Sequence, residues 1–105
     1  MSTPVGLPNN IINTLTATVV TTTFTQVTSF NTDGFALAGV QIQSSAACVA
    51  ELRSNDGVPV AQFAVQSSDT QAPVDVPLYS PSYTLFARSI AGTCNVQATI
   101  LLRGD

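Results

Sequence analysis

Polar and apolar residues alternate with a period of two along most of this chain, and no stretch repeats at the 3.6-residue period of an amphipathic helix. Successive side chains of a strand point to opposite faces, so each alternating run predicts a strand with one buried face. The first runs from Ile11 to Val20, where Leu15, Ala17 and Val19 alternate with Thr14, Thr16 and Thr18. Thr21, Thr22 and Thr23 break that phase and predict a bulge or corner near Val20 to Thr22. Beyond it, Phe24, Gln26, Thr28 and Phe30 share one face and Val27 takes the other. Phe35 to Gln43 places Ala36, Ala38, Val40 and Ile42 in phase. Ala46 to Arg53 turns Ala46, Cys48, Ala50 and Leu52 inward and Glu51 and Arg53 outward. Val58 to Gln66 turns Ala61, Phe63 and Val65 inward. The run Pro73 to Leu78 contains two prolines, which lack the N–H a central strand needs, and so predicts an edge strand. Tyr83, Leu85 and Ala87 form another inner row. Cys94 to Arg103 is the most regular strand, with Cys94, Val96, Ala98, Ile100 and Leu102 facing in.

Turn residues punctuate these runs. Asn31-Thr32-Asp33-Gly34 is a turn by composition, and Ser54-Asn55-Asp56-Gly57 is the clearest hairpin signal. Ala91-Gly92-Thr93 also reads as hairpin-like, and Ser67 to Ala72 as a polar loop. About eight short strands, spaced at roughly 8–12 residues, predict an all-β fold. The expected architecture is a single antiparallel β-sandwich, jelly-roll-like. The alternative is an immunoglobulin-like sandwich, whose inter-sheet bridge would suit Cys48 and Cys94 but whose core Trp is missing. No internal repeat or linker divides the chain. The expected organisation is an extended N-terminal arm over residues 1–10 and a sandwich domain over 11–105. Pro4 and Pro8 limit ladder bonding in the arm.

Composition narrows the chemistry. Of 105 residues, 9% are charged, against roughly 25% in average domains. There is no Lys, His or Trp, and the polar share is carried by 14 Thr, 10 Ser, 7 Gln and 6 Asn. Three Arg and a net charge of −3 offer little to phosphates, so nucleic acid is not an expected partner. The longest apolar run, Gly34 to Val40, is too short to span a bilayer, and the N-terminus has no basic or apolar leader. The expectation is a protein made in the cytoplasm without a signal peptide, with no membrane partner.

Candidate active groups are few. A Ser or Cys nucleophile has no His or Lys base here. Paired carboxylates for glycoside hydrolysis would have to be Asp69 with Asp75, or Asp33 with Asp56. Asp33 and Asp56 each precede a Gly in a turn, and turn chemistry accounts for them, as it does against a calcium site. No cofactor or metal is called for, and no enzymatic activity is expected. Cys48 and Cys94 lie on inner faces, either as a disulfide or as two buried thiols. Tyr79 and Tyr83 flank the Pro81 turn. Tyr79, the more exposed in this phase, is the candidate ring for stacking on a sugar. The closing Arg103-Gly104-Asp105 is a strand end with a short tail.

The outer strand faces carry Thr, Ser, Gln and Asn with isolated apolar residues such as Val49 and Leu101. Soluble sandwiches protect their edges with charge, and interface cores lack it. The neutral faces therefore predict burial against other subunits, with Val49 and Leu101 as candidate interface residues.

The chain resembles the small β-sandwich structural proteins of tailed-phage virions, above all the capsid decoration or cement proteins. The likeness rests on the arm Met1 to Asn10, the Thr-rich strands and the Thr32-Asp33-Gly34-Phe35 turn. The closing stretch from Tyr83-Thr-Leu-Phe-Ala-Arg88 through Gly92-Thr93 to Val96-Gln-Ala98 also carries it. The resemblance implies a homotrimer seated on a viral shell, exposed on the virion and bridging subunits of the major capsid or another coat protein. Pro4, Leu7, Pro8, Ile11 and Ile12 would be the arm's partner-binding residues, added along a sheet edge or laid in a groove. The alternative role is a carbohydrate-binding or receptor-binding module of a fibre, tail or surface coat.

Overall fold

The computed structural model describes residues 10–13, for the backbone only, and residues 18–66 and 74–104. Nine strand segments follow in chain order: β1 (Asn10–Asn13), β2 (Thr18–Val20), β3 (Thr25–Asn31), β4 (Leu37–Ser44), β5 (Cys48–Ser54), β6 (Pro59–Val65), β7 (Val74–Pro77), β8 (Ser82–Ser89) and β9 (Cys94–Arg103). They form two antiparallel sheets. The first has the order β1-β9-β4-β7, and β2 joins it by pairing with the other half of β9. Because β1 and β2 lie along one strand, they act as one interrupted strand, and the sandwich is eight-stranded. The second sheet has the order β3-β8-β5-β6.

After β2 the chain passes to the opposite sheet at nearly every connection, which is the winding of a jelly roll. This explains why one turn is a true hairpin and another is not. Ser54 to Gly57 joins β5 to β6 within one sheet, closed by Gly57 N–H to the Ser54 carbonyl at 2.9 Å. Gly57 has φ of 81°, a conformation that favours glycine. The Ala91-Gly92-Thr93 turn instead carries the chain from β8 in one sheet to β9 in the other, so the expected hairpin there is a crossing. Asn31 to Gly34 likewise crosses, from β3 to β4, with Asp33 and Gly34 at φ of 49° and 85°.

The alternation places the core as expected in β4, β5, β8 and β9. Ala38, Val40, Ile42, Cys48, Ala50, Leu52, Leu85, Ala87, Val96, Ile100 and Leu102 are fully enclosed. Burial of this kind stabilises by about 25 cal/mol per Å² of apolar surface. Phe30 stacks on Tyr83 at 5.9 Å between ring centroids. The buried Tyr83 hydroxyl accepts the N–H groups of Tyr79 and Ser80 at 2.7 and 3.0 Å, which fastens the turn before β8.

Two phase assignments are corrected. Val19 is exposed and Val20 is buried, the reverse of the expected alternation. Directly opposed residues share a face. Val20 faces Cys94 and Thr18 faces Val96, both of them core residues, so Val20 points inward. In β3 the pairing with β8 shifts between Gln26 and Thr28, a bulge centred on Val27. Phe24 and Gln26 therefore lie on the outer face while Thr28 and Phe30 turn inward, and the four do not share a face.

Candidate interaction surfaces

The two sheets present different outer faces. On the β3-β8-β5-β6 sheet, the outward rows of β5 and β8 are Val49, Glu51, Arg53 and Thr84, Phe86, Arg88. Arg53 donates from Nε to Glu51 Oε2 at 2.5 Å. Gln62, directly opposite on β6, donates its amide to Glu51 Oε1 at 2.7 Å. The Arg53 guanidinium stacks over Phe86 at 4.2 Å and over Phe24 at 5.2 Å, and Arg88 lies over Phe24 at 5.6 Å. Glu51 thus points outward yet is buried, roofed by its own partners. The Gln62 amide and then Arg53 hold its carboxyl below the ordinary glutamate range. Stacking of this type contributes about 0.5–1 kcal/mol at exposed positions. This face pairs Glu51 with Arg53 and sets both arginines against aromatic rings.

The β1-β9-β4-β7 sheet does not use charge in this way. Outward positions along β9 and β4 are Asn95, Gln97, Thr99, Leu101 and Leu37, Gly39, Gln41, Gln43. Its strands contain two charged residues, Asp75 and Arg103, and these pair with each other at one end at 2.5 Å. Gly39 lies under that pair, because a Cβ there would stand 3.3 Å from the Asp75 carboxylate. The rest of the face is amide, hydroxyl and aliphatic. Near its other end, Gln43, Ser45, Asn95 and Gln97 line a shallow depression of about 170 Å³.

The edges are equally neutral. The edge strands are β1 with β2 and β7 in one sheet, and β3 and β6 in the other. Their residues include one charged side chain, Asp75. Val60 stands exposed on β6, Val58 just before it, and Val74 on β7. Pro59 and a register shift near Leu52 and Arg53 interrupt only the start of the β6 edge.

The remaining candidates fall as follows. Pro4, Leu7 and Pro8 lie outside the described residues, as do Leu15, Ala17 and Asp69. Ile11 and Ile12 sit in β1, paired with Leu101 and Ile100 of β9, which places their backbone in the sheet and not in an arm. Val49 and Leu101 are half-buried on the outer faces of opposite sheets, so no single surface holds both. Tyr79 is 89% exposed. Asp33 and Asp56 occupy turns, and Asp75 is held by Arg103. Cys48 and Cys94 are both buried and unbridged. Among the described residues, no helix is long and apolar enough to cross a membrane and no cluster of three or more His, Cys, Asp or Glu assembles.

The Arg53 cluster was only partly legible in the sequence. Outward Glu51 and Arg53 follow from the β5 alternation, and outward Phe86 and Arg88 from the inner row of β8. Phe24 was hidden by the bulge, which nothing in the Thr-rich run locates.

No family model matches the chain, and no curated protein matches it. Solved structures do resemble it. One is the subunit described under "Bacillus endospore appendages form a novel family of disulfide-linked pili". It has a TM-score of 0.64 at 12% identity, over 93% of this chain and 88% of that one. Another is the SPBc2 prophage-derived protein YomS, with a TM-score of 0.57 at 11% identity, over 90% of this chain and 93% of that one. At such identities the likeness is one of fold. It extends over nearly the whole of all three chains.

Proposed function

We propose that this chain is a non-enzymatic structural protein of a virion, a capsid decoration protein that binds as a homotrimer and stabilises the shell by bridging coat subunits. The observation that carries the reading is the neutrality of the β1-β9-β4-β7 face together with that of all four sheet edges. In a free monomer such edges template unwanted pairing; in an assembly they are buried. The neighbours by fold, a pilus subunit and a prophage protein, support a structural role of this kind. Pro4, Leu7 and Pro8 form an arm that anchors to the coat along a sheet edge or groove, and three arms on one trimer multiply the avidity. The test is reconstitution on shells assembled without this chain. Full-length protein should co-sediment with them and raise their resistance to heat. Deletion of residues 1–9 should abolish co-sedimentation without lowering the melting temperature of the domain. Unchanged binding by the truncated protein refutes the arm.

The exposed ring of Tyr79 favours a second reading, a carbohydrate-binding or receptor-binding module of a fibre or tail. The hydrogen bonds from the Tyr79 and Ser80 backbone to Tyr83 hold that turn in place, so the ring is presented on a fixed support. A glycan array with Tyr79→Ala as control decides it. Binding lost in the variant supports the module; no binding, or binding indifferent to the substitution, removes it.

A further inference from the structure

Cys48 and Cys94 are each the first residue of the strand that follows a crossing from one sheet to the other. Residues 45–47 carry the chain from β4 to β5, and residues 90–93 carry it from β8 to β9. These two crossings lie side by side at one end of the sandwich. Ser45 donates its N–H to the Asn95 carbonyl at 3.0 Å, and Asn95 donates its own to Ser45 Oγ at 2.9 Å. Ile90 donates to the Ala47 carbonyl at 3.2 Å. Both crossings are closed alike, by a buried serine whose hydroxyl bonds a carbonyl two residues on: Ser44 to Ala46 at 2.6 Å and Ser89 to Ala91 at 2.9 Å. Register places Cys48 opposite Ser89 and Cys94 opposite Val20, all inward. Between these clamps the two thiols lie close enough to interact with one another, and Cys48 also interacts with Ser44. Their exposures are 1% and 4%, so in the closed fold neither is presented to a thiol of another chain.

We propose that Cys48 and Cys94 are a paired oxidation site, which closes to an intramolecular disulfide linking the two sheets when the protein meets a small-molecule disulfide. The step is thiol–disulfide exchange. One cysteine thiolate attacks a sulfur of oxidised glutathione and displaces one glutathione thiolate, giving a mixed disulfide. The second cysteine then attacks the protein sulfur and releases the second glutathione. One oxidant disulfide is reduced to two thiols, and two protein thiols lose their protons and two electrons to form one S–S bond. Burial pushes the Cys48 thiol up from its ordinary range, so Cys48 reacts slowly until local opening admits the oxidant. The bond would join β5 of one sheet to β9 of the other and close a long loop, which constrains the unfolded chain strongly. Neither the arm nor the coat enters this inference.

The experiment is incubation of the wild-type chain with oxidised glutathione in mild urea, followed by intact-mass spectrometry, a non-reducing gel and a thermal melt. The expected result is loss of two hydrogens with no glutathione adduct and migration as a single chain. The melting temperature should rise by on the order of 10 °C and be restored to its original value by dithiothreitol. Cys48→Ser and Cys94→Ser should each abolish the rise and retain a glutathione adduct on the remaining thiol. If either variant does not fold, the wild-type comparison of oxidised and reduced protein still decides. A persistent adduct on the wild type, a disulfide-linked dimer, or thiols that stay unreacted all overturn the proposal.

Discussion

The outer faces of the two sheets are built from the same fold and meet opposite fates. The β3-β8-β5-β6 face carries Glu51, Arg53 and Arg88, and covers them with Phe24, Phe86 and Gln62. The β1-β9-β4-β7 face carries amides and hydroxyls, with its one ion pair confined to an end. A charged group can be buried when its partners are built in; a face of neutral side chains lacks the charge that opposes packing against another protein. The difference teaches where assembly is expected to occur. The first face holds a charged cluster roofed by its own sheet, and the second has the low charge of an interface core.

The comparison can be broken most forcefully on the neutral face. Gln43→Lys or Gln97→Lys puts a charge where the account requires a covered neutral surface. Self-association should be lost in sedimentation velocity, while the monomer's unfolding free energy changes by about 0.5 kcal/mol or less. Retained association would show that the face is solvent-exposed in the assembly.

On the charged face, Glu51→Ala should cost about 1–3 kcal/mol in urea unfolding, because it strands Arg53 and Gln62 without their acceptor. The same carboxylate predicts a pH dependence. Its folded value lies below the ordinary glutamate range, so the unfolded chain takes up a proton at higher pH than the folded chain does. The contribution is therefore complete above the ordinary range and is lost as pH falls through it towards the folded value. A Glu51→Gln variant should show a flatter acid limb in the same titration; an identical limb would remove Glu51 from the account. Smaller still, Phe86→Leu keeps apolar cover but removes the ring beneath Arg53, and should cost about 0.5–1 kcal/mol by thermal melting. Tyr79→Ala should change stability by less than about 0.5 kcal/mol, since the ring is exposed and the Tyr83 hydroxyl contacts only its backbone N–H.

Most of the fold was legible from alternation because period two depends only on which face is buried. The inward rows Ala38, Val40 and Ile42 of β4, Cys48, Ala50 and Leu52 of β5 and Tyr83, Leu85 and Ala87 of β8 read correctly, and β9 matches from Cys94 to Arg103, while the ends of β4 and β5 lie one or two residues from those expected. Failures came where the face was decided by pairing. Val20 points inward because it opposes Cys94, a long-range fact that no local pattern contains. The Val27 bulge reversed the face of Phe24 for the same reason. The Ala91 to Thr93 turn has hairpin residues, yet only the order of strands determines whether a turn closes a ladder or crosses between sheets. For the candidate surfaces, the low charge was visible at once, but its distribution was not. The sequence shows nine charged residues; that Glu51, Arg53 and Arg88 gather on one outer face, while the described strands of the other sheet hold only the Asp75–Arg103 pair, appears only when the strands are laid side by side.

The central claim is that the neutral face and edges exist to be covered. Multi-angle light scattering of the purified 105-residue chain at micromolar concentration tests it most directly. The account predicts a mass three times the 10.9 kDa of one chain, falling to the monomer value in Gln97→Lys. A wild-type protein that stays monomeric and soluble across that range would contradict it.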